Sequence, residues 1–243
     1  SSPEEDLEEL SFAGGYETVL GVKVEDIEAA VRRSFVSCLD ERVIVYKREH
    51  GLEVSRPRIA VIIQQQIASD AAGVAFSLNP LNNCYDEAVI NANYGLGESV
   101  VSGAVSPDSW IVDKVTRSIL GRKTGKKETS VWLNPDGGTS RKPSSEREQL
   151  CLTDEQILAL TDMVARVEAY FGKPIDIEWA FADRQLYLLQ ARPITAYVPL
   201  PPSLLTPPGA PKRLYWDMSL SKWGMPEPLS VMGSDLIDIG NVA

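Results

Sequence analysis

The sequence predicts an α/β or α+β domain in which helices pack on a mixed or antiparallel sheet. Three observations carry this: an alternating hairpin pattern from Ile175 to Arg192, a β-branched run at Ile59 to Ile63, and amphipathic helical stretches at Val24 to Glu49 and after Thr153. The 243 residues suffice for one large domain or two small ones. A hydrophobic content of 44% with 24% charged residues is that of a soluble globular chain. The net charge of −10 argues against a general nucleic-acid or anionic-membrane surface, although a few focused cations and a metal ion would still admit a phosphate ligand. No apolar run approaches the roughly 18 residues of a membrane span and no signal-peptide pattern is present, so a cytoplasmic protein is expected. Cys38, Cys84 and Cys151 lack metal or redox spacing and are expected to be reduced thiols.

In chain order, Val24 to Glu49 reads as one amphipathic helix. Ile27, Val31, Phe35 and Cys38 mark its apolar stripe, Val43 and Tyr46 continue it after a slight shift, and Arg32, Arg33, Arg42, Lys47 and Arg48 form the solvated side. His50 is the single histidine, which leaves no histidine triad or histidine-metal cluster. Before Gly51 it is placed to interact with the helix end. Ile59 to Ile63 reads as a strand buried on both faces, followed by the unusual Gln64-Gln65-Gln66. Ala71 to Ser77 begins the next strand. Its Gly73 serves either a tight connection or the close approach of a ligand. Gly95-Leu96-Gly97-Glu98 is neither a Walker loop nor a dinucleotide fingerprint. From Val115 to Leu150 the chain is polar. Lys123, Lys126 and Lys127 read as exposed loop lysines, and Asn134 to Arg147 as a mobile loop. Thr153 and Gln156 form a capping box, Ile157, Leu160, Val164, Val167 and Phe171 the core stripe of the helix they open, and Gly172 with Pro174 end it.

The hairpin that follows carries the chemistry. With a three-residue turn at Asp183, Arg184 and Gln185, Trp179 faces Leu189 and Phe181 faces Tyr187 on the buried side. On the other side Glu178 then sits opposite Gln190, and Asp176 opposite Arg192. Carboxylate and carboxamide oxygens suit Mg²⁺, and a guanidinium suits phosphate. A solvent-facing Asp176–Arg192 ion pair is the plainer alternative.

The strings DIEWAF and LYLLQARPIT, with VINANYGLGESVVSG and SFAGG before them in the same order, resemble the ATP-binding domain of phosphoenolpyruvate synthase, pyruvate phosphate dikinase and rifampin phosphotransferase. The resemblance covers most of Ser1 to Thr195 and implies the C-terminal part of an ATP-grasp-like domain. It implies that Glu178 and Gln190 bind Mg²⁺ and that Arg192 touches the ATP phosphates in a catalytic role. Gly14 and Gly15, with Thr18, would form a loop closing over the phosphates. Gln64, Gln66 and Ile67 would pass the adenine edge mainly through backbone atoms, and Gly73 would pack beneath the nucleotide. The string from Ala88 to Asp113 reads as scaffold shaping the cleft, with Glu98 a weaker candidate for a second metal-side carboxylate. In such enzymes a histidine on a swivelling domain relays the phosphoryl group to an acceptor-binding domain, and His50 does not match that histidine.

Two departures stand out. Gly15 replaces the usual glutamine, and an arginine and a glycine- and lysine-containing motif expected upstream are absent from the sequence. The resulting expectation is a truncated nucleotide-binding domain over residues 1–197 that alone binds ATP weakly or undetectably and is inactive. A proline-rich linker over 198–213 and the start of a second domain over 214–243 would follow, with Tyr215, Trp216, Trp223 and Met232 folding onto the body. A non-catalytic or degenerate nucleotide-binding module, or another ATP-grasp enzyme, is the alternative.

Overall fold

The computed structural model describes residues 6–7, 10–11, 16–55, 59–144, 148–206, 210–211 and 213. The chain divides into two units, Ser1–Gly209 and Ala210–Ala243, and all the elements below belong to the first. Gly14, Gly15 and the four aromatic and methionine residues expected to anchor the C-terminal segment lie outside the described residues.

Near the N-terminus β1 (Asp6–Leu7) and β2 (Leu10–Ser11) pair antiparallel. The predicted long helix is two helices, α1 (Ile27–Val36) and α2 (Glu41–Glu49), separated by a single 3-10 turn at Ser37–Leu39. That break is the physical origin of the shift in the apolar stripe. Cys38 and Val43 are buried, but Phe35 is exposed and α1 has no buried residue. Lys47, expected in solvent, is buried. His50 caps α2 as expected, with Nδ1 2.9 Å from the Tyr46 carbonyl oxygen and its ring against the Tyr46 ring.

The core is a six-stranded sheet in the order β10-β9-β3-β4-β5-β6. The strands are β3 (Ala71–Phe76), β4 (Glu87–Tyr94), β5 (Asp108–Asp113), β6 (Ser118–Lys123), β9 (Ile175–Ala182) and β10 (Gln185–Pro193), and every pairing is antiparallel. One face is apolar at every second residue. Ala71 and Ala75, Ile90 and Ala92, Trp110 and Val112, and Ile175, Ile177, Trp179 and Phe181 pack there with Ile157, Leu160 and Val164 of α4 (Asp154–Phe171). The capping box at Thr153 and Gln156 is formed and Gly172 ends α4 at φ +67°, while Phe171 reaches past the core and is 38% exposed.

On the opposite face one end of the sheet is covered. The Asn93 carboxamide donates to Ser99 Oγ of α3 (Glu98–Val101) and to the Thr129 carbonyl, both at 2.9 Å. Thr129 begins β7 (Thr129–Leu133), which forms a hairpin with β8 (Thr139–Pro143) where a mobile loop was expected. The five-residue loop between them, 134–138, ends in Gly137 and Gly138 at φ +91° and +71° and is closed by the Asn134 N–H donating to the Gly138 carbonyl. The rest of this face has no covering element among the described residues.

Two further expectations fail. Ile59 to Ile63 joins no strand, and Ile62 and Ile63 are 75% and 65% exposed, because no described strand pairs with this segment. Lys127 is fully buried and ion-paired with Asp108 rather than exposed in a loop. The start of the proline-rich stretch is tied to the body, since Asn83 exchanges hydrogen bonds with Val198 and Leu200 N–H donates to the Tyr85 hydroxyl at 3.0 Å.

Candidate functional site

The site is built on the uncovered face at β9 and β10. The turn joining them has two residues rather than three. Asp183 and Arg184 both have positive φ, at +50° and +65°, as a type I′ turn requires. Near the turn the register is therefore one residue off the expected one, with Phe181 opposite Leu186 and Trp179 opposite Leu188. A bulge at Leu189 then absorbs one residue of β10. Beyond it Gln190 lies opposite Glu178 and Arg192 opposite Asp176, as the sequence predicts.

Arg192 is oriented from one side. Its Nε donates to Asp176 Oδ2 at 3.0 Å and its Nη2 lies 2.9 Å from the same oxygen, which leaves the remaining guanidinium hydrogens pointing elsewhere. Glu178, half-buried, accepts no hydrogen bond among the described residues. Burial first, and then the neighbouring Asp176 carboxylate, hold its carboxyl above the ordinary range, with Arg192 offsetting part of the effect. A half-buried carboxylate with a carboxamide opposite and no donor among the described residues fits a hard cation that takes oxygen ligands. Among the described residues no three acidic, histidine or cysteine side chains cluster as a metal site, so further ligands would be phosphate oxygens and water.

The structure brings some predicted residues to this hairpin and not others. Gln64 joins it, because its Nε2 donates to the carbonyl of the bulged Leu189 at 3.2 Å. Gln66 is engaged in the fold. Its Oε1 accepts from Gly21 N–H at 2.6 Å, and the Gly21 carbonyl accepts from Gly138 N–H at 2.7 Å. This clasp fixes the segment carrying Thr18, whose side chain is exposed. The Ile67 carbonyl accepts from Ser69 N–H at 3.0 Å. Gly73 does not join the site. It is in register with Trp179 and Ala92 on the α4 side, and a Cβ there would lie 1.9 Å from the Asn91 carbonyl oxygen, so close strand packing accounts for the glycine. Glu98 lies 3.7 Å from Arg141 of β8, a loose and exposed pair.

Sequence reasoning passed over Asn91 and Ser109 as scaffold. Asn91 is in register with Val74, which is in register with Glu178, so all three share the uncovered face. The alternation of Val89, Asn91 and Asn93 against Ala88, Ile90 and Ala92 was the available signal.

A family model described as the pyruvate phosphate dikinase AMP/ATP-binding domain matches residues 1–199. The chain is 40% identical over 206 residues to the phosphoenolpyruvate synthase of Pyrococcus furiosus, covering 80% of this chain and 25% of that protein. It is 42% identical over 197 residues to the uncharacterized phosphotransferase YvkC of Bacillus subtilis, covering 80% and 24%, and 34% identical over 206 residues to the rifampicin phosphotransferase of Bacillus cereus, covering 83% and 23%. The chain thus spans between 17% and 29% of the length of these and other curated relatives it matches. With the match running through the whole sheet and both strands of the hairpin, the chain belongs to the pyruvate phosphate dikinase AMP/ATP-binding domain family.

Proposed function

We propose that this chain is the nucleotide-handling part of a dikinase-type phosphotransferase and that it binds Mg-ATP on the uncovered face of the sheet. One observation carries the reading. Glu178, Gln190 and the Asp176-oriented Arg192 stand side by side on β9 and β10, and Glu178 has no hydrogen-bond donor among the described residues. Glu178 and Gln190 would hold Mg²⁺, whose charge would offset that of the phosphates. Arg192 would place its free guanidinium hydrogens on the phosphates, with Asp176 fixing the plane of the fork. Gln64, anchored on Leu189, would border the nucleotide, and the segment carrying Thr18 would lie across it. Phosphoryl transfer would then need a histidine and an acceptor site on other domains of a longer protein, as the family resemblance implies. His50 is engaged at the end of α2 and does not serve.

The test is a calorimetric titration of Mg-ATP into the chain beside Glu178→Ala. Loss of binding in the variant, with an unchanged melting transition, supports the reading. Binding indifferent to Glu178 would sink it.

A further inference from the structure

A linker is expected from residue 198, but its first residues are docked. From Val198 to Pro202 the sequence is Val-Pro-Leu-Pro-Pro, so Val198 and Leu200 alone carry N–H groups. Both are taken by side chains of the connection between β3 and β4. Val198 N–H donates to Asn83 Oδ1 at 2.9 Å, and Leu200 N–H to the Tyr85 hydroxyl at 3.0 Å. The Val198 carbonyl is taken twice, by Asn83 Nδ2 and by the Tyr85 hydroxyl, each at 3.0 Å. The Tyr197 ring meets the Tyr85 ring edge-on, with centroids 6.2 Å apart.

The receiving loop divides its polar side chains between two tasks. Asn79 and Asn82 work inward, both donating to Glu87, at 2.8 and 3.2 Å, while Asn82 Oδ1 accepts from Cys84 N–H at 2.9 Å. Asn83 and Tyr85 instead reach a segment more than a hundred residues later in the chain. Asn83 has φ +56°, a left-handed conformation that asparagine adopts more readily than most residues. Its single carboxamide pairs with both the N–H and the C=O of Val198, as a neighbouring strand would. The recognition is of main chain alone. Proline-rich backbone forms few internal hydrogen bonds, so those groups are there to be taken.

We infer that Asn83 and Tyr85 form a latch that docks Val198 to Leu200 onto the body, so that the freedom of the chain begins after Leu200 and not at Thr195. The latch stands whether or not the sheet binds a nucleotide. Its four bonds share two side chains and one three-residue segment, so they open together. The next hold upstream is Ile194, two residues past Arg192, whose N–H donates to the Pro174 carbonyl at 2.9 Å. Latch and strand end are thus two holds in series. Motion that arises beyond Leu200 meets the latch first and does not reach the pairing of β9 with β10.

The test is water–amide exchange, read by NMR on the full ¹⁵N-labelled chain. Tyr85→Phe and Asn83→Gly are compared with the parent, each checked for a retained native spectrum. Tyr85→Phe keeps the ring and removes the hydroxyl, and Asn83→Gly keeps the left-handed backbone and removes the carboxamide. In the parent the Val198 and Leu200 amides are expected to exchange at least about tenfold more slowly than free amides. The decisive readings are crossed. Tyr85→Phe should speed Val198, whose acceptor Asn83 is intact, and Asn83→Gly should speed Leu200, whose acceptor Tyr85 is intact. Each effect should be about threefold or more, while Ile194 changes by less than about twofold. Variants that free only the amide they had bonded would overturn the latch in favour of separate bonds. Unprotected amides in the parent, or protection that survives both variants, would overturn it too. Acceleration of Ile194 together with Val198 would overturn it as well, because the two holds would not then be in series. Should Asn83→Gly fail to fold, Asn83→Asp takes its place, since it keeps the acceptor for Val198 N–H and loses the donor to the Val198 carbonyl.

Discussion

Asp108 and Glu178 are carboxylates of one sheet that face opposite sides of it, and the protein treats them in opposite ways. Asp108 is fully buried and supplied on every side. It receives the Lys127 ammonium, the Gly125 N–H at 2.8 Å and the Cys151 N–H at 2.9 Å. Beside it the Cys151 thiol is pushed far above its usual range, first by its own burial and then by the Asp108 charge. Glu178 is only half-buried, yet it accepts no hydrogen bond among the described residues and its carboxyl is held up by burial. A carboxylate whose donors come from its own chain joins β5 to the segments around Gly125 and Cys151 and belongs to the fold. One that lacks them in a half-dry setting is the place where a ligand would supply the positive charge.

The contrast breaks most visibly at Lys127. Lys127→Ala leaves the Asp108 charge buried without its partner, and the expected loss is about 3–5 kcal/mol, measured by urea unfolding. A loss below about 1 kcal/mol would show that Asp108 is not the structural member of the pair. A smaller effect is expected at Gly73, in the strand between the two carboxylates. Gly73→Ala drives a Cβ against the Asn91 carbonyl oxygen and is expected to cost about 1–3 kcal/mol through a displaced β4. The weakest effect sharpens the other side. Because the Glu178 pKa is raised, the folded state holds that proton more tightly than the unfolded state, so ionising Glu178 lowers stability. Glu178→Gln should therefore raise the melting temperature slightly at neutral pH. The gain should shrink as pH falls through the raised pKa and vanish once Glu178 is protonated in both states. Mg-ATP binding should weaken over the same descent, since proton and metal compete for one carboxylate.

The polar pairs of the hairpin were legible because alternation fixes faces. Glu178 with Gln190 and Asp176 with Arg192 follow from the polar positions alone. The register near the turn was not, because Leu188 and Leu189 are both apolar and alternation cannot say which of two leucines is the extra one. Lys127 was misread for a different reason. Its burial depends on Asp108, 19 residues earlier, and composition sees only the polar stretch around it. Ile59 to Ile63 has the composition of a buried strand, but a strand also needs a neighbour, and pairing is a non-local fact. Asn91 was hidden in a string taken as scaffold, and its place on the same face as Glu178 follows only from the pairing of β9, β3 and β4.

The bulge at Leu189 has a consequence for how this hairpin tolerates change. A three-residue turn with no bulge and a two-residue turn with one bulged residue deliver the same partners beyond residue 189. The spare residue is thus a dislocation in the ladder, and the pairs on its far side are indifferent to whether it sits at the tip or in the strand. The fold places it in the strand, directly before Gln190, where its turned-out carbonyl holds Gln64. The tip of the hairpin and its far end are thereby mechanically uncoupled: the first can be remodelled by one residue while the second keeps its phase.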